Sequence, residues 1–111
     1  MNQLNLIAVP NGVFSLEQAL DDTLIKKAVK QLQSVEASTT AKIKTLLIYY
    51  QMIDTLAQMH MQGFDLNQVN EAGLKESMKY AIDTGYESIM KTFTNHQRKK
   101  LHALFEKAPT H

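Results

Sequence analysis

The sequence predicts an all-α fold, a small bundle of four helices preceded by a short extended N-terminal arm, and three observations carry that prediction. Apolar residues recur with helical spacing from Leu20 to Phe105. Ser, Thr, Asp or Asn residues stand where each periodic segment begins, as helix N-caps do. Only the first residues show strand-like alternation, and no second strand exists elsewhere to pair with them. At 111 residues, 44% apolar and 21% charged, the chain has the size and composition of one globular domain rather than of a disordered segment.

Residues 1–14 make up the arm. Leu4, Leu6 and Ala8 alternate with Asn5 and Ile7, and Pro10, Asn11 and Gly12 then break the chain. An arm of this kind lies along the helices, pairs with another chain, or stays mobile. The helical domain is expected over 15–108. Ser15 opens its first helix, with Gln18 completing a capping box. Glu17, Asp21 and Asp22 early and Lys26, Lys27 and Lys30 later follow the order the helix dipole favours. Leu20, Leu24, Ile25, Ala28, Val29, Leu32 and Val35 give this helix one broad apolar face to about Glu36. Asp21 points towards the early part of that face, either at the core edge as a cap or as a buried carboxylate with a raised pKa.

Ala37 to Thr40 is a small, hydroxylated connection in which Thr39 or Thr40 can cap the central helix, Ala41 to Gln62. On a helical wheel the polar residues Lys44, Gln51, Asp54, Thr55, Gln58 and Gln62 fall in one narrow arc. Nearly everything else on that helix is apolar, well beyond the roughly 100° stripe of an ordinary surface helix. Such a helix needs neighbours on two or three sides. Gly63 ends it as a left-handed cap, with Phe64 placed to fold back onto the last turn. Asp65 with Gln68, and then Asn70, supply two further N-cap signals, and a helical turn at Leu66 to Val69 leads into a two-faced third helix, Glu71 to Thr92. Gly85 lies in the middle of its apolar face, marking a close helix crossing or a kink. Thr94 and Gln97 form a capping box for the last helix, whose apolar stripe is Leu101, Leu104, Phe105 and Ala108, and Pro109 ends it.

The residues offer little for catalysis. The sequence has no cysteine, which removes disulfides, thiolate metal sites and cysteine nucleophiles. Met59, His60 and Met61 carry ligands suited to soft copper, but neighbours on a helix diverge by about 100° and cannot close on one ion. His60, His96, His102 and His111 stand at no metal-ligand spacing, and no Glu-x-x-His pair, nucleophile elbow or phosphate loop occurs. No catalytic, cofactor or metal residue is therefore assigned, no small-molecule substrate is evident, and the chain is read as a non-enzyme.

The expected function is non-catalytic interaction with protein, by self-association or within a larger complex. It uses Tyr49, Tyr50, Met52, Leu56 and Met59 of the central helix, residue types that interface cores favour. The alternative is binding to nucleic-acid backbone. From Thr94 onward four cations face one anion although the whole chain is only +1, and Arg98, Lys99, Lys100 and Lys107 could neutralise phosphates. Ser38-Thr39-Thr40-Ala41-Lys42-Ile43-Lys44-Thr45-Leu46-Leu47 resembles the cap and first turns of a helix in the small helical subunits of type III CRISPR effector complexes. That likeness implies a helical subunit of a larger assembly that lines a nucleic-acid strand. The family's Tyr-rich, Gly-Arg segment has no counterpart, since Gly85 is followed by Tyr86. The run Leu4 to Val9 is too short for a signal peptide and no stretch is long enough to span a membrane, so a cytoplasmic protein is expected.

Overall fold

The computed structural model describes residues 16–106, and these are all-helical, with no strand among them. Five α-helices follow in order: α1 Leu16–Asp21, α2 Thr23–Gln33, α3 Thr39–Met61, α4 Glu71–Lys91 and α5 Asn95–Glu106, with a 3-10 turn at Leu66–Gln68 before α4. The expected arm at 1–14, the Ser15 cap, Lys107, Ala108, Pro109 and His111 lie outside the described residues.

The single helix expected from Ser15 to Glu36 is two. Asp22 breaks it, with extended backbone (φ −69°, ψ 138°) and a side-chain Oδ1 that accepts from the Leu24 N–H at 2.8 Å and the Ile25 N–H at 3.4 Å. A short carboxylate that bonds the backbone competes with helix continuation, and here the cap wins. The neighbouring Asp21 is exposed, so the buried-carboxylate alternative falls away. The central helix begins two residues earlier than expected because its cap is Ser38, whose Oγ accepts from the Ala41 N–H at 3.1 Å, rather than Thr39 or Thr40.

Other punctuation stands where the sequence put it. Gly63 has φ +90°; its N–H donates to the His60 carbonyl and the Phe64 N–H donates to the Met59 carbonyl, both at 3.0 Å. These are the two bonds of a Schellman ending. Phe64 itself stays exposed. Thr94 and Gln97 exchange the reciprocal bonds of a capping box, at 2.9 and 3.1 Å. Asn70 caps α4 through the Gly73 N–H at 3.0 Å.

Helix α3, 23 residues long and so roughly 35 Å from end to end, is the axis of the fold. Helix α4 packs along most of it, while α2 and α5 pack on it and on each other. The innermost side chains, Ile25, Ile43, Leu46, Ile82 and Leu101, come from α2, α3, α4 and α5. Full burial of side chains of this size contributes about 1.5–3 kcal/mol each. Helices α2 and α4 both rest on α3 without packing closely on one another.

Gly85 marks a kink, not a close crossing. Its backbone leaves the helical region (φ −110°, ψ 17°), and the Thr84 hydroxyl one residue earlier donates back to the Tyr80 carbonyl at 2.9 Å. A β-carbon built at Gly85 meets only the Ile89 Cδ1, at 4.0 Å. Alanine tolerates this backbone and restricts the unfolded chain, so Gly85→Ala is expected to stabilise the protein by about 0.5–1 kcal/mol. A urea midpoint shifted downward would instead reveal a contact at that position.

The middle of the polar arc of α3 does not face solvent. Gln51, Asp54 and Thr55 are 5%, 3% and 2% exposed, while Tyr49, Met52, Ile53, Leu56 and Met59 are only half-buried. The Gln58 amide donates to Asp54 Oδ2 at 3.0 Å. Thr55 Oγ1 is buried with no hydrogen-bond partner among the described residues. An unsatisfied buried hydroxyl costs about 1–3 kcal/mol. Thr55→Val, which keeps the shape and removes that hydroxyl, is expected to raise the thermal midpoint in calorimetry. A fall of several degrees would mean that the hydroxyl is bonded.

Candidate protein-docking groove

Because α2 and α4 straddle α3 without packing closely on one another, a strip of α3 lies open between them as a groove of about 450 Å³. Tyr49, Met52, Ile53 and Leu56 form its floor. Leu24 and Lys27 of α2 rise on one side, and Glu71 and Lys75 in the first turns of α4 on the other. Leu24, at 61% exposed, extends the apolar strip onto the rim. The Lys75 ammonium sits 5.7 Å from the Tyr49 ring centroid, within cation–π range.

Three of the five interface residues expected from sequence, Tyr49, Met52 and Leu56, come together here. Met59 is half-buried further along α3 and does not line the groove. Tyr50 is a correction: it points to the other side of the helix, is 2% exposed, and offers no surface to a partner. Consecutive helical positions diverge by about 100°, so Tyr49 and Tyr50 could not share a face. Sequence reasoning missed Leu24, which it assigned to the core face of the first helix, and the flanking amines of Lys27 and Lys75. The break at Asp22 that sets the start of α2 was the only available signal for the former.

Burial raises the pKa of the Tyr50 phenol, and the negative charges of Asp54 and Glu17 push it the same way. Burial also raises that of Tyr86, opposed by a hydrogen bond with Thr40. A phenol whose folded pKa lies above its unfolded value of 10.0 stabilises the fold fully below that pH, and the contribution is lost as pH rises from there through the folded pKa. Urea midpoints are therefore expected to decline above about pH 10. Tyr50→Phe should make the decline shallower, and an unchanged slope would show that this phenol does not carry it.

A second, polar cleft opens beside the Gly85 kink, between Thr40 and Lys44 of α3 and Asp83 and Tyr86 of α4. Its Lys44 and Asp83 engage one another. Asp83 pairs with Lys79 at 3.2 Å and Lys44 at 3.8 Å, and the Lys44 ammonium lies 5.3 Å from the Tyr86 ring centroid. This is a clasp between α3 and α4 rather than a receptor.

The basic helix differs from expectation at its first cation. Arg98 Nη1 donates to the carbonyls of Met90 at 2.9 Å and Phe93 at 3.1 Å, and Nη2 donates to Asn95 Oδ1. The guanidinium thus ends α4, where carbonyls lack helical partners. Lys99 and Lys100 are exposed, and Lys107 lies outside the described residues. Among the described residues no group of three His, Asp or Glu side chains is placed to hold a metal ion, and no helix is long and apolar enough to cross a membrane. No protein-family model, no curated protein and no solved structure matches this chain. The ten-residue likeness at 38–47 therefore stands without further support.

Proposed function

We propose that this chain is a non-catalytic interaction protein, a bundle of four main helices that takes a protein partner on the groove over α3. One observation carries the reading: the central helix leaves Tyr49, Met52, Ile53 and Leu56 as one contiguous apolar floor that α2 and α4 flank but do not close. Scattered apolar residues on a surface need no explanation, but a contiguous patch with a polar rim is what docking surfaces present. Aromatic and methionine side chains on the floor fit this use, since Met adapts to irregular partners and Tyr gives large contact area.

Arg98, bonded to the end of α4, removes one of the four cations on which phosphate-backbone binding would rest, and this favours the protein reading. The test is a photo-reactive phenylalanine analogue placed at Met52, with Tyr80, exposed on α4 and outside the groove, as the control position. In cells expressing the protein, irradiation should give a discrete protein adduct from position 52 that Leu56→Glu removes and that position 80 does not give. An adduct of twice 12.6 kDa would identify a second copy as the partner. No adduct from position 52, or the same adducts from both positions, would end the proposal.

A further inference from the structure

Resting on the groove reading, we infer that the partner presented to it is an acidic amphipathic helix. The groove floor is about two helical turns long. It runs along α3 between two helices that do not pack closely on each other, and it rises seven residue steps from Tyr49 to Leu56, about 10 Å of axis. That is the separation of apolar anchors at i and i+7 on a docked helix, with a third anchor between them.

Charge sets the partner's polar face. Helix α2, Thr23–Gln33, contains Lys26, Lys27 and Lys30 and no acidic residue. Lys27 stands on the groove rim, with Lys75 across from it on α4. Neither amine is in an ion pair among the described residues, and the single rim carboxylate is Glu71. Two amines astride an apolar floor attract carboxylates on both flanks of a docked helix and repel a basic one.

The same charges disfavour two other occupants. Residues 1–14 contain no Asp or Glu and bring nothing to the rim amines. A second copy docked groove to groove would bring together two rims that each carry two amines and one carboxylate, so that like charge meets like.

The experiment uses the full chain and two fluorescein-labelled 18-residue helical peptides. Both carry Leu at i, i+3 and i+7; one has Glu and the other Lys at the flanking positions. By fluorescence anisotropy at 50 mM salt the Glu peptide is expected to bind about tenfold more tightly, the gap narrowing at 500 mM as screening grows. The double reversal Lys27→Glu with Lys75→Glu should invert the preference, and Leu56→Glu should abolish binding of both while circular dichroism shows the fold retained. Equal binding of the two peptides, or preference for the Lys peptide, overturns the inference but leaves the groove as a docking site. Binding of neither also overturns it, and the adduct at position 52 then judges the groove reading separately. Displacement of the Glu peptide by an equimolar peptide of residues 1–14, or by self-association of the chain in light scattering, would name those occupants instead and overturn it as well.

Discussion

The number of neighbours that α3 can have governs the rest of this structure. A helix apolar around most of its circumference is stable in water only when other elements cover it, and here α4, α2 and α5 do so in unequal measure. The choice of which arc they cover is not the obvious one. Ile43, Leu46, Leu47 and Tyr50 go inward together with Gln51, Asp54 and Thr55, while Tyr49, Met52 and Leu56 remain half-open. Burial of three polar side chains opposes folding, offset in part by the Gln58–Asp54 hydrogen bond. The arrangement leaves an apolar strip of the helix open between α2 and α4.

The ends of the helices around α3 are set by short-range polar devices, while the apolar core packs the helices together. Asp22 ends α1 and starts α2, and Ser38 and Asn70 start the two longest helices. Arg98 ends α4 while belonging to α5, which fixes the corner between them. Contacts distant in sequence complete the set: the Gln33 amide donates to the Leu104 carbonyl at 2.9 Å, joining α2 to α5. The clasp of Asp83 with Lys44 and Lys79 holds α4 to α3 beside the kink at Gly85. Between them these restraints hold α2 and α4 apart, and their separation is the groove.

Surface lysines mean different things according to what surrounds them. Lys44 and Lys79 sit beside a carboxylate and hold two helices together, whereas Lys27 and Lys75 sit beside an apolar strip with no ion-pair partner among the described residues. A charge in the second setting confers selectivity more than affinity, because exposed ion pairs contribute only about 0–1 kcal/mol. Apolar contact on the floor would supply the binding energy and the flanking charges the choice of partner.

Helix type, most boundaries and most caps were legible in the sequence, because periodicity and capping are local: Gly63, Asn70 and the Thr94–Gln97 box need only their own neighbours in the chain. The surplus apolar girth of the central helix was legible for the same reason, and with it Tyr49, Met52 and Leu56. The tertiary structure decided what local rules leave open. Whether Asp22 would cap or continue a helix, and whether Gly85 marked a crossing or a kink, depended on packing. Arg98 read as a free cation because its bonds to the Met90 and Phe93 carbonyls depend on how the chain turns between α4 and α5. Above all, the arc of α3 that is covered depends on where α2, α4 and α5 land. A helical wheel states how much apolar surface must be buried, but only the neighbouring helices determine which part of it stays open.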